Sequence, residues 1–352
     1  MWRIFLSLIS HRFLLVLVAL IAINAKSTPQ YAGRAIRPFQ SKSVLFDKLL
    51  GRFSQGSEVR ALQVLNQQPA SKVFQLTQDP FLWISRLVAY LLNNQALYSV
   101  LIVSNLFLLF FLWELNSLAS RMALPEAASG VGVLAVLWMT SYELSLGSSL
   151  SLTCYLTTLL FRSAIDNQWI FTGLGLGFLA LNDRLALGLL PLLLLLFWYF
   201  QRFEPAMEVV KKGLMFLLPI LTAIILKWSF YKDIWLFVQG SALVGVINAL
   251  KSGDILNSLL SQSNLGQTIS LIVFVVGSVA AAVVNSSLVL RVLPLLLLIV
   301  VLAFSDFGAI ASRLLIAGIC FEGITATLSG LFLRLFQLAL IILSCYEVVS
   351  LF

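Results

Sequence analysis

Long apolar stretches with few charged residues recur along most of this chain, and they constrain its fold more than any other feature. A helix needs about 20 mostly apolar residues to cross the hydrocarbon core of a bilayer. After a first stretch at 4–25, further ones lie near 97–119, 128–143, 148–163, 168–182, 185–202, 212–230, 267–288, 289–305, 308–325 and 328–350. The pattern predicts an all-α, multi-pass integral membrane protein with about 11 transmembrane helices.

Composition excludes the main soluble classes. Hydrophobic residues make up 60% of the 352 residues and charged residues 11%, against about 45–50% and roughly 25% in soluble domains. A soluble enzyme, a disordered protein and a collagen-like fibre are therefore excluded. The net charge of +8 indicates loop topology and contact with anionic membrane lipid. No basic run alternates with aromatic residues, so no nucleic-acid partner is predicted.

The chain divides into three parts: an N-terminal transmembrane anchor (1–25), an outer loop with interfacial helices (26–93), and a polytopic transmembrane bundle (94–352). The first part could also be a secretory signal, because Arg12 precedes a short apolar run, but a retained anchor is favoured. Within the loop, the apolar stretch 81–93 carries Arg86 and is interpreted as an interfacial helix.

Lysine and arginine counts in the short loops favour a cytoplasmic N-terminus. With the N-terminus inside, the inner helix ends hold eight basic residues and the outer ends four, as the positive-inside rule requires. The loop 26–80 places eight further basic residues outside, but its 55 residues approach the length at which the rule ceases to apply. Two long loops, 26–80 and 231–266, are then both external.

Ionisable residues within membrane helices are costly and are candidates for function. Five map to the outer helix ends and could line one hydrated cavity: Glu143, Asp183, Arg184, Asp306 and Arg313. Alternatively, each reaches the interface independently, or Asp306 pairs with Arg313. Glu114 and Glu322 map toward the inner side and are interpreted as structural partners.

The first loop contains a predicted amphipathic helix at Val44–Phe53, with Asp47, Lys48 and Arg52 on its polar face. Asp47 is either a solvated residue or a carboxylate held above the bilayer, where it could act as a general base. Lys48 and Arg52 could hold a phosphate group or simply attract anionic lipid. Asp79 before Pro80 is a predicted helix N-cap, and it is also a second candidate outer carboxylate.

Other motifs are interpreted structurally. The glycines of Gly173–Gly177 form a small-residue stripe typical of close helix packing. The three cysteines, Cys154, Cys320 and Cys345, lie in apolar segments without metal-ligand spacing, and the single histidine, His11, lies beside the first span without a cluster of partners. No metal site or cofactor is predicted; a divalent metal is compatible with the sequence but not indicated.

The order of features resembles the polytopic GT-C glycosyltransferases, and within them the GPI mannosyltransferase II (PIG-V-like) branch. Phe46-Asp47 with Gly56 resembles the family's Trp-Asp motif with its following glycine, although phenylalanine replaces the tryptophan. Three further segments resemble motifs of the family: Ser141-Tyr142-Glu143, Leu181-Asn182-Asp183-Arg184-Leu185 followed by Pro191, and Ser312-Arg313.

The resemblance implies a membrane glycosyltransferase that moves a sugar from a polyprenyl-phosphate donor to a lipid-linked or membrane acceptor. It implies Asp47 as the catalytic general base and a substrate-binding set of Glu143, Asp183, Arg184, Arg313, Lys48 and Arg52. The membrane would be the endoplasmic reticulum in a eukaryote or the inner membrane in a bacterium.

Two alternatives stay open. Pro69 and Pro80 are spaced similarly to two prolines of GPI transamidase subunit U, which implies a non-catalytic subunit of a membrane complex. The other alternative is a transporter or flippase that uses the intramembrane charges.

Overall fold

The structure of the chain is a computed structural model. It describes residues 2–25, 57–67, 79–122, 125–138, 144–145, 147–228, 239, 241–252, 265–284, 288–304 and 330–351. The predicted helix at Val44–Phe53, the predicted span at 308–325 and the residues Asp306 and Glu322 lie outside the described residues. All regular elements of the described part are helical, which confirms the all-α class.

The helices, numbered in chain order, are α1 (Trp2–Ala25), α2 (Ser57–Asn66), α3 (Pro80–Leu91), α4 (Ala96–Met122), α5 (Pro125–Leu137), α6 (Leu150–Ile165), α7 (Trp169–Asn182), α8 (Leu185–Gln201), α9 (Ala206–Leu226), α10 (Ala242–Ser252), α11 (Leu265–Val284), α12 (Leu288–Phe304) and α13 (Leu331–Leu351).

Three helical segments of the described part are long and apolar enough to cross a membrane: Trp2–Ala22, Ala96–Arg121 and Ala206–Leu226. Several other apolar helices are shorter than these three segments, for example α7 with 14 residues. The count of about 11 spans and a GT-C-like arrangement therefore stay predictions.

Helix α6 packs parallel to α4 and antiparallel to α7, as polar contacts at successive levels show. Ser104 of α4 lies 3.4 Å from Ser151, near the start of α6, whereas Arg121 at the end of α4 pairs with Asp166, just after α6. Asn182 Nδ2, at the end of α7, donates to Thr153 Oγ1 of α6 (2.7 Å). The bundle thus has two ends, which we call the Asp183 end and the Asp166 end.

The glycine stripe of α7 is a close helix-packing face, as predicted, and its partner is the backbone of α9. A Cβ built on Gly173 would lie 2.4 Å from the carbonyl oxygen of Phe216, and one on Gly177 would lie 3.0 Å from that of Pro219. Glycine is required here because a side chain would collide with main-chain atoms that cannot rotate away. The contacts run in the same order along both helices, so α7 and α9 are parallel.

Helix α3 lies across the Asp183 end of the bundle. It begins after Asp79, whose Oδ1 accepts a hydrogen bond from the Phe81 backbone amide (2.8 Å), so the predicted N-cap is confirmed. Four residues separate its end from the start of α4, and Asn93 and Asn94 of that turn have φ of 52° and 61°, a region that asparagine tolerates. Both ends of α3 therefore lie near the same end of the bundle, the geometry expected of the predicted interfacial helix.

Helices α1, α5 and α13 form a parallel group at one side. Ile4 of α1 contacts Gly132 of α5, and Leu15, Ala19 and Ala22 of α1 cluster with Val348 of α13. Because α5 begins directly after α4 ends, all three helices start toward the Asp166 end. His11 and Arg12 lie within α1 rather than beside it, and His11 is 3% exposed.

Two elements differ from the hydropathy pattern. The predicted span 128–143 corresponds to α5, which ends at Leu137. The chain instead returns toward α4, where Ser104 Oγ donates to the carbonyl oxygen of Leu144 (2.6 Å) and Asn105 Nδ2 donates to that of Ser145 (3.2 Å). In the predicted outer loop 231–266, the structure contains the additional helix α10.

Candidate functional site

Four charged side chains converge at the Asp183 end of the bundle, each at a helix terminus. Asp79 precedes α3, Asp183 follows α7, Arg184 precedes α8 and Lys227 follows α9. All four residues are partly exposed, although Nε and Nη1 of Arg184 are buried. We call them the Asp183 cluster.

Local sequence fixes Asp183 at the junction of α7 and α8. Its extended backbone (φ −141°, ψ 144°) ends α7. Its Oδ1 accepts a hydrogen bond from the Leu185 amide (3.0 Å), which is one of the otherwise unpaired donors at the start of α8. Arg184 is therefore held immediately beside this carboxylate, with its side chain at the same end of the bundle.

Lys227 reaches back from the end of α9 to the end of α7. Its Nζ donates to the carbonyl oxygen of Leu181. Burial lowers the pKa of Lys227, the nearby carboxylates of Asp79 and Asp183 act in the opposite direction, and Arg184 lowers the pKa further. Asp79, Asp183 and Arg184 therefore lie within electrostatic interaction range of Lys227.

Nearby polar groups include one unsatisfied atom. Asn182 uses its amide nitrogen to bind Thr153, whereas its buried Oδ1 accepts no hydrogen bond from the described residues. Two cations, two carboxylates and an amide oxygen thus meet at the end of the bundle. Such a set can bind a phosphate through Arg184 and Lys227 and a hydroxyl through an aspartate.

The opposite end has a different character, because six of its described charged residues form three ion pairs. Arg121 pairs with Asp166, Arg162 Nε lies 2.7 Å from Glu114 Oε2, and Lys212 Nζ lies 3.3 Å from Glu204 Oε1. The interpretation of Glu114 as a structural partner is confirmed by its contact with Arg162. These pairs join α4 to α6 and the α8–α9 turn to α9.

Of the predicted site residues, the structure describes two, Asp183 and Arg184, and brings them together. Asp47, Lys48, Arg52, Glu143 and Arg313 lie outside the described residues. Sequence reasoning did not name Lys227 as a site residue, although a lysine that directly follows an apolar helix and lies on the same predicted side was a usable signal. Within the described ranges, no group of three or more His, Cys, Asp or Glu could hold a metal ion.

No family model matches this sequence, and no curated protein or solved structure matches it.

Lys227 provides a test of the electrostatics of the cluster. Because its pKa is lowered in the folded protein, the unfolded chain binds more protons between that lowered value and the ordinary lysine value, and stability should rise with pH across this window. Replacement by methionine should remove that rise. The measurement compares thermal unfolding midpoints of wild type and Lys227→Met in detergent from neutral to alkaline pH. Parallel slopes in the two proteins would contradict the assignment.

Proposed function

We propose that this chain is a multi-pass membrane glycosyltransferase of GT-C type, which moves a sugar from a polyprenyl-phosphate donor to a lipid-linked or membrane acceptor. The observation that carries the proposal is the convergence of Asp79, Asp183, Arg184 and Lys227 at one end of an apolar helix bundle. A charged site at the end of apolar helices is suited to a substrate whose phosphate must stay hydrated while its polyprenyl chain stays in lipid.

In this mechanism the acceptor hydroxyl attacks the anomeric carbon of the sugar. The proton of the acceptor hydroxyl passes to Asp47, the general base, and the bond between the anomeric carbon and the phosphate oxygen breaks. The polyprenyl phosphate leaves with the bonding electron pair. Arg184 and Arg313 stabilise the negative charge that grows on the phosphate. Lys48 and Arg52 of the loop bind the same phosphate. Glu143 or Asp183 orients the acceptor. We add Lys227 to the proposed phosphate-binding side chains, because its Nζ reaches the end of α7 beside Asp183 and Arg184.

The test pairs two arginines at the two ends of α8. Arg184→Gln removes a cation from the Asp183 cluster and should lower transfer at least 100-fold, a loss comparable to that of a transition-state donor. Arg202→Gln is the control, because Arg202 follows the other end of α8 and stacks over Tyr199 at 4.5 Å. The assay is transfer of radiolabelled sugar from polyprenyl-phosphate donors to extracted lipid in proteoliposomes that contain the purified chain.

Asp47→Asn should abolish the same transfer without reducing the amount of inserted protein. Equal activity in Arg184→Gln and Arg202→Gln, or full activity in Asp47→Asn, would overturn the proposal.

A second candidate is a non-catalytic subunit of a membrane complex, and one observation favours it. Asp79 and Asp183 both cap helices, a structural use that needs no substrate. This candidate predicts that no transfer is detected with the purified chain, that Asp47→Asn is without effect in cells, and that partner subunits co-purify with the chain in mild detergent.

A further inference from the structure

A polar groove lies at the contact of α1, α5 and α13, away from the Asp183 cluster. It encloses a volume of about 530 Å³. Five of its lining residues are polar: Ser7, Ser10, His11, Arg334 and Gln337. The proposed transferase function uses none of them.

His11 carries a buried hydrogen-bond donor in this groove. Its Nδ1 lies 3.2 Å from Arg12 Nη1, and a guanidinium group can only donate, so Nδ1 is the acceptor and the ring proton lies on Nε2. That Nε2 is buried and has no hydrogen-bond partner in the part of the chain that the structure describes. A buried N–H group without an acceptor is costly, which favours an acceptor supplied by a ligand.

The other polar groups of the groove also favour an anion. Arg334, in the first turn of α13, is exposed and brings a permanent positive charge to the end of the groove nearer the Asp166 end. The serine hydroxyls and the Gln337 amide can donate, and the described residues that line the groove include no carboxylate. The electrostatic complement of this lining is a negatively charged group.

The remainder of the lining is apolar and open to the side of the bundle. Leu14, Leu137 and Ile341 continue the groove beyond the polar residues, while Leu6 and Leu338 at its rim are 45% and 53% exposed. A free phosphate ion would leave this apolar half empty. A molecule with an anionic head and a hydrocarbon chain would fill both halves.

We propose that this groove binds one anionic phospholipid, with the lipid phosphate at Arg334 and His11 and an acyl chain along the leucine-lined half. With the N-terminus inside, the lipid belongs to the inner leaflet, where basic pockets between membrane helices bind anionic headgroups. The site is separate from the Asp183 cluster, so its failure would leave the proposed transferase untouched.

The test uses the full chain in detergent, delipidated and then titrated with phosphatidylglycerol or with zwitterionic phosphatidylcholine, with bound lipid counted by native mass spectrometry. We expect one phosphatidylglycerol bound more tightly than phosphatidylcholine. Arg334→Gln should weaken that binding about tenfold or more, since it removes a charge-assisted hydrogen bond. Arg3→Gln is the matched control, because Arg3 is also exposed and starts the same helix group but does not line the groove.

A second pair of variants tests His11, which lies in the core. His11→Gln keeps an N–H donor and should retain most of the binding, whereas His11→Leu should weaken it. Soluble glycerol phosphate at millimolar concentration should not displace the lipid. Equal losses in Arg3→Gln and Arg334→Gln, equal binding of both lipids, or displacement by glycerol phosphate would each overturn the proposal.

Discussion

Replacing Glu114 by leucine is expected to lower the free energy of unfolding by about 3 kcal/mol, because it leaves the Arg162 guanidinium within the bundle without its carboxylate. The two side chains are 11% and 25% exposed, and their charged atoms lie 2.7 Å apart. Removal of one partner from such a pair costs more than the pair itself contributes, since the remaining charge is still away from water. The measurement is reversible unfolding in mixed micelles.

The double variant Glu114→Leu with Arg162→Leu distinguishes this explanation from simple loss of packing. It removes both charges, so most of the stability should return, and the double-mutant cycle should give a large coupling energy. Glu204→Gln is the control for a more exposed pair, because Glu204 is 37% exposed and 3.3 Å from Lys212; its expected cost is under about 1 kcal/mol. Additive losses in the double variant would contradict the assignment of Glu114 and Arg162 as a coupled pair.

Replacing Gly173 by alanine is expected to cost about 3 kcal/mol, the upper part of the range for overpacking. The new Cβ would lie 2.4 Å from the Phe216 carbonyl oxygen and 2.8 Å from its Cα, so the backbones of α7 and α9 must separate. The collision outweighs the gain of about 1 kcal/mol that alanine brings to a helix interior. Thermal unfolding in detergent measures the effect, and Gly173→Leu should prevent assembly of the two helices.

Alanine substitutions at two other glycines should follow an order of cost set by the same distances. Gly177→Ala meets the Pro219 carbonyl oxygen at 3.0 Å and should cost less than Gly173→Ala, while Gly213→Ala meets the Phe197 ring edge at 3.6 Å, an ordinary contact, and should be neutral or stabilising. A different order of the three unfolding midpoints would show that the α7–α9 contact does not depend on backbone approach.

Hydropathy predicted most of the described helices because long apolar runs leave few alternatives in lipid. The predicted spans 97–119 and 168–182 correspond closely to α4 and α7. The predicted end of α5 was wrong because the return of the chain at 144–145 depends on the side chains of Ser104 and Asn105. A sliding average of hydrophobicity does not represent such side-chain hydrogen bonds. Helix α10 was missed because it is short and lies within a segment of mixed polarity.

The candidate site was predictable in part. Charge and alternating topology placed Asp183 and Arg184 at one end of the bundle, and the same reasoning located Lys227 there without assigning it a role. The contact of Lys227 with the Leu181 carbonyl depends on the parallel packing of α7 and α9, two helices separated in sequence by α8. A single sequence contains no direct signal for that pairing. The buried hydrogen-bond donor of His11 was missed for a related reason. The tautomer of His11 is set by its contact with Arg12, and the spacing of residues in the sequence does not reveal that contact.

The length of α7 has a consequence for the surrounding lipid. Its 14 residues rise about 21 Å, several ångströms less than the roughly 30 Å hydrocarbon thickness of a typical bilayer. If α7 crosses the membrane, the lipid around it must thin to match, or the headgroup region must dip toward its ends. Either deformation would bring water and phosphates down to Asp183 and Arg184. A mismatch of this kind would lower the work of lifting a long-chain phosphate out of the leaflet, and it would make the protein sensitive to the acyl-chain length of its host membrane.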